Sequence, residues 1–71
     1  MRMKPVDSSV LAAVGHDRAT NVLQVRFRTG RVYLYLGVPR WRYNELLAAD
    51  SAGHYFNEKI RTKFRAVRVP G

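Results

Sequence analysis

The stretch from Val22 to Leu36 constrains the fold more than any other part of this chain. From Val22 to Arg28 apolar and polar residues alternate, with Leu23, Val25 and Phe27 set against Gln24, Arg26 and Arg28. A period of two is the pattern of a strand with one buried face. Thr29-Gly30 interrupts the run, and Arg31 to Leu36 alternates again. A two-residue loop with glycine in second place predicts a tight hairpin. In that register Arg28 faces Arg31, Phe27 faces Val32, Arg26 faces Tyr33 and Val25 faces Leu34; Gln24 then meets Tyr35, and Leu23 meets Leu36. One face becomes wholly apolar: Leu23, Val25, Phe27, Val32, Leu34 and Leu36. The other carries Gln24, Arg26, Arg28, Arg31, Tyr33 and Tyr35. A slip of one residue would scramble both faces, so the pattern predicts a firm register.

The elements around the hairpin follow from shorter signals. Val10 to Val14 is an apolar run stopped by the turn-like Gly15-His16-Asp17, which predicts a first strand. Gly37-Val38-Pro39 ends the hairpin, and Pro39 suits the first turn of a helix. Tyr43, Leu46 and Leu47 recur at helical spacing, giving a short helix to about Ala49. Asp50-Ser51 offers caps for a second helix, in which Phe56, Ile60 and Phe64 form one apolar seam. The expected fold class is α+β: a three-stranded antiparallel meander followed by two short helices packed on one face. Residues 1–8 read as a flexible lead-in, 9–66 as a single domain and 67–71 as a flexible basic tail.

A chain of 71 residues has room for one domain, and at this size only about 60% of the unfolded surface is buried, so the core is marginal. It contains no cysteine, and His16 and His54 are its only histidines. A zinc site would need about four ligands at recognisable spacing, so neither a disulfide nor a metal is expected, and no cofactor. No run approaches the roughly 18 apolar residues of a membrane span. No apolar segment follows Met1 to Asp7 as a secretory signal would require. The lack of cysteine fits a reducing compartment, so the expected setting is the cytoplasm.

Catalysis has little to work with. Asp7, Asp17, Glu45, Asp50 and Glu58 form no motif, and no Gly-x-Ser-x-Gly elbow or glycine-rich phosphate loop is present. His16 reads as a turn residue and His54 as a helix surface residue, which makes a binding module the expectation rather than an enzyme.

The charge is more informative. Thirteen Lys and Arg against five Asp and Glu give a formal charge of +8, a quantity that speaks to partners rather than fold. It falls in two blocks. Arg26, Arg28 and Arg31 accompany Tyr33 and Tyr35 in the hairpin, and exposed rings beside guanidiniums are what single-stranded nucleic acid binders use. Each base stacked on a ring contributes about 1–3 kcal/mol while arginines take phosphate. The same tyrosines also fit a plainer role as good strand formers with arginines stacked over them. The second block, Lys59, Arg61, Lys63, Arg65 and Arg68, could extend a phosphate-tracking groove, dock on an acidic protein or serve as a solvated face and tail. Trp41 belongs to the residue types that anchor protein interfaces.

Three stretches carry a resemblance to a known family. These are Pro5-Val6-x-Ser8-Ser9 through Gly15-x-Asp17, then Leu23-x-Val25-x-Phe27 through Val32-Tyr33-x-Tyr35-x-x-Val38-Pro39, and Leu46-Leu47 through Gly53-x-Tyr55-Phe56-Asn57-x-x-Ile60-Arg61. Together they resemble the KTSC domain over roughly Pro5 to Phe64. Tyr33-x-Tyr35 and Tyr55-Phe56-Asn57 are the most specific parts. The sequence departs from the pattern at His16, where an aromatic is expected after Gly15, and at Gly37, where a polar residue often precedes Val38. The resemblance implies a domain found at the C-terminus of some lysyl-tRNA synthetases and as short free-standing bacterial and phage proteins, with RNA binding as its suggested role. The leading expectation is a small non-enzymatic module that binds RNA or single-stranded nucleic acid. The alternative is an antitermination-like regulator that docks on a host transcription protein such as RNA polymerase.

Overall fold

The computed structural model describes residues 2–70. Its fold is α+β, a five-stranded antiparallel sheet with two helices, and the order across the sheet equals the order along the chain. The strands are β1 (Lys4–Pro5), β2 (Leu11–Asp17), β3 (Val22–Phe27), β4 (Val32–Leu36) and β5 (Arg65–Val69). Helix α1 spans Arg40–Ala48, and α2 spans Ala52–Phe56 before running into a single π-helical turn, Asn57–Arg61. Two strands exceed the expected three. One comes from the segment read as lead-in and the other straddles the boundary expected between domain and tail at 66/67: Lys4 pairs with Val14, and Arg65 to Val69 pair with Leu36 to Val32. Met1 and Gly71, at the extremes of those segments, lie outside the described residues. The alternation of Val67 and Val69 with Arg68 marks β5 as a strand, a signal that the density of charge obscured.

The central hairpin departs from the expected register by one residue. Leu23 pairs with Tyr35, Val25 with Tyr33 and Arg26 with Val32. The loop is the three-residue Arg28-Thr29-Gly30, closed by Gly30 N–H donating to the Phe27 carbonyl at 2.9 Å and Phe27 N–H donating to the Arg31 carbonyl at 2.9 Å. Gly30 sits at φ 94°, the left-handed position that a three-residue hairpin loop requires in its last place. The slip sends every β4 side chain to the opposite face. Tyr33 and Tyr35 join Leu23, Val25 and Phe27 on the helix-covered face, and Val32, Leu34 and Leu36 turn outward. Because Val32-Tyr33-Leu34-Tyr35-Leu36 can bury either set, the pattern of β4 did not fix the choice.

The core is built from Leu11, Val14, Leu23, Val25 and Tyr35 of the sheet, Val38, Tyr43 and Leu46 around α1, and Ala52, Phe56 and Ile60 from the second helical segment. Of the expected helical seam, Phe56 and Ile60 are buried, but the helical segment ends at Arg61 and Phe64 packs on the core from beyond it. Ser51 caps α2 through its hydroxyl, which accepts from His54 N–H at 3.3 Å. His16 is not in a turn. The strand β2 continues through Gly15, and His16 is buried on the core face, 7% exposed. Its Nε2 lies 2.6 Å from the Val38 carbonyl and so carries the proton, while the ring stacks on Tyr43 at 5.4 Å. Val38 N–H in turn donates to the Asn21 carbonyl at 2.8 Å. The bend between β4 and α1 is thus held from both sides.

Candidate nucleic-acid interface

The face covered by the helices is not fully closed. Where β3, β4 and β5 meet α2 and the π-helical turn, a cleft of about 690 Å³ opens to solvent. This falls within the range of roughly 300–1,000 Å³ typical of ligand sites. Its floor is aromatic: Phe27, Tyr33, Tyr35 and Phe56. The rings lock each other in edge-to-face pairs, with Phe27 at 5.6 Å from both Tyr33 and Phe56, and Tyr35 at 5.3 Å from Phe56. Such pairs fix ring orientation as well as adding to burial. Tyr35 is buried and forms the base of the cleft, whereas Tyr33 is half-buried and leaves part of its ring accessible.

The rim is cationic. Arg28 and Arg31 come from the hairpin and Arg61 from the π-helical turn, and no carboxylate lines the cleft. Arg28 is committed to the chain itself, its Nε donating to the Ser8 carbonyl at 2.9 Å and its Nη2 to the Val6 carbonyl at 3.3 Å. Arg61 Nη1 makes a long bond of 3.5 Å to Asn57 Oδ1, which places the amide and the guanidinium side by side at the mouth. Burial pushes the Tyr35 phenol up, an effect that the nearby Arg61 charge partly opposes. Among the described residues Arg42 and Glu45 form an ion pair, and His54 Nε2 lies 3.5 Å from a Glu58 carboxylate oxygen. Among the described residues no acid pairs with Arg31 or Arg61.

The expected polar sheet face, with Tyr33 and Tyr35 beside Arg26, does not exist. The one-residue slip separates them: Arg26 lies on the outer face opposite Val32, while the tyrosines lie on the inner one. What the structure brings together instead is Tyr33, Tyr35, Arg28, Arg31 and Arg61. Arg68 pairs with Tyr33 across β4 and β5 and borders a second, shallower depression of about 360 Å³ next to Arg31. Lys59 and Lys63 are exposed and line neither depression. Arg65 pairs with Leu36 and belongs to the outer face. Trp41 is 53% exposed on α1, with the Arg42 guanidinium 4.3 Å above its ring. Phe27, Phe56 and Asn57 were not among the residues expected at the site. The Tyr55-Phe56-Asn57 motif was the signal that pointed to the last two.

Among the described residues no group of three or more His, Cys, Asp or Glu could hold a metal ion, and no helix is long and apolar enough to cross a membrane.

With that geometry in hand, comparison with known proteins is informative. The family model of the KTSC domain matches residues 7–64, a span that contains every cleft residue except Ala66. A protein of Tsukamurella paurometabola is 45% identical over 67 residues, covering 94% of this chain and all of that one. A lysine–tRNA ligase of Nostoc punctiforme is 35% identical over 63 residues, which make up 11% of its length. The crystal structure of a KTSC domain protein from Yersinia pestis superposes with a TM-score of 0.93 at 32% identity, covering 97% of each chain.

Proposed function

This chain belongs to the KTSC domain family, and from that footing we propose that it is a non-enzymatic module whose aromatic cleft binds single-stranded nucleic acid, RNA above all. One observation carries the reading: four aromatic rings under a rim of three guanidiniums, with no carboxylate among the lining residues. A ligand suited to that surface combines a flat apolar part with negative charge, as a nucleotide does. A base would enter against the accessible part of the Tyr33 ring, with the Asn57 amide placed to meet a base edge. Arg31 and Arg61 would take flanking phosphates. Tyr35 holds the floor in place instead of stacking a base. The alignment with a short segment of a lysine–tRNA ligase is compatible with an RNA setting.

Fluorescence anisotropy with a labelled single-stranded RNA tests this. Arg31→Ala and Arg61→Ala should each weaken binding and each flatten the salt dependence, since log K falls by about 0.7 per phosphate neutralised on single strands. Tyr33→Ala should cost about 1–3 kcal/mol of affinity with the fold retained. Binding that ignores all three substitutions removes the cleft from consideration.

A further inference from the structure

The slipped register has a second effect, on the opposite side of the sheet. Leu34 stands opposite Val67 there, and Val32 opposite Val69. Leu36, Val67 and Val69 are 38%, 45% and 39% exposed, and both helices pack on the other face. This aliphatic patch reaches the free edge of the sheet, because β5 is the last strand and all five of its residues are exposed. The bond from Phe27 N–H to the Arg31 carbonyl marks that pair as hydrogen-bonded. Alternation along the ladder then points the peptide groups of Val32, Leu34 and Leu36 at β5, and those of Ala66 and Arg68 outward. An open edge of this kind accepts another strand.

The charge around it selects the occupant. Arg65 and Arg68 lie on the edge strand, Arg26 lies two strands inward on the outer face, and β3, β4 and β5 contain no acid. A second copy carries the same +8, so pairing of β5 with itself brings like charges together; charged residues on an edge are a known block to self-association. Nucleic acid is a poor match as well, since the patch is aliphatic and offers no ring for a base. An acidic strand meets neither obstacle.

We propose that β5 and the aliphatic face beside it form a docking site for an extended acidic segment of a partner protein, added as a sixth strand. Its apolar side chains lie next to Val67 and Val69, and its alternate carboxylates meet Arg68 on the other face. The site shares Ala66 with the lining of the cleft, and Arg68 is the position that tells the two apart.

The test uses the full chain and two synthetic peptides, one alternating valine with glutamate and the other valine with lysine. Titration followed by backbone amide shifts should show the glutamate peptide binding at Ala66 and Arg68, at least about tenfold more tightly than the lysine peptide. Ala66→Pro removes one outward N–H where an edge strand tolerates proline, and should weaken binding by about tenfold. Val67→Asp sets a like charge against the peptide and should weaken it comparably, which keeps the test open if the proline variant fails to fold. Equal binding of the two peptides, shifts confined to the cleft, no binding of either peptide, or a concentration-dependent dimer in sedimentation would each overturn the proposal. An RNA oligomer that displaces the peptide from β5 would overturn it as well, by making the edge a nucleic-acid surface.

Discussion

At the scale of single residues, His16 shows how a side chain's neighbours decide its role. A histidine after a glycine and before an aspartate reads as a turn; here it is a buried brace. Its Nε2–H satisfies the Val38 carbonyl, and its ring stacks on Tyr43. His16→Phe keeps a flat ring but leaves that carbonyl without its donor, so urea denaturation should show a loss of about 1–3 kcal/mol. The tyrosines make a different prediction. Burial raises the phenols of Tyr35 and Tyr43, with Arg61 and Arg40 respectively opposing it. A folded value above the unfolded one means the native state holds the proton more tightly. The stabilisation is therefore complete below about pH 10, the unfolded value, and lost as pH rises through the folded values. The melting temperature should decline above about pH 10, and the double variant Tyr35→Phe with Tyr43→Phe should flatten that decline. Tyr33 and Tyr35 were identifiable from the sequence as residues that matter, but their separate roles were not. Both are amphipathic, and only the cross-strand partner tells a floor from a stacking surface.

At the scale of elements, the loop Arg28-Thr29-Gly30 governs the molecule. Glycine at φ 94° ends a three-residue turn, and that turn sets which face of β4 is buried. Gly30→Ala should cost roughly 1–2 kcal/mol by forcing a Cβ into the left-handed region, and Gly30→Asn less, because asparagine tolerates it; thermal melts of the two variants check the order. A Cβ there would meet nothing within 4 Å, so the cost is one of backbone conformation and not of collision. The starts of both helices and most of their buried residues were legible. Pro39, Ser51 and the seam of Phe56, Ile60 and Phe64 carry position-specific signals that need no knowledge of distant partners. The strands were legible as strands, but their pairing was not. Thr29-Gly30 and Arg28-Thr29-Gly30 are equally good loops on paper, and the apolar run of β4 satisfies either one. The π-helical turn had no local signature at all, yet it carries Asn57 and Arg61 to the mouth of the cleft.

At the scale of the whole molecule, the two basic blocks do not form one continuous stripe. Arg31 and Arg61 converge on the cleft, Arg26 and Arg65 lie behind the sheet, and Lys59 and Lys63 stand apart in solvent. The arginines of the two blocks are thus divided between two faces of different chemistry, one aromatic and one aliphatic. The strand order has a consequence of its own, in time as well as space. Strands β2, β3 and β4 each pair with the strand just before them in the chain, so β1 to β4 can zip together through short loop closures, which are entropically cheap and fast. Strand β5 alone must wait for the chain to travel through both helices before it meets β4. The edge offered to a partner is therefore the last piece of the sheet to be laid down, and on a growing chain it becomes accessible only when the rest of the domain is already in place.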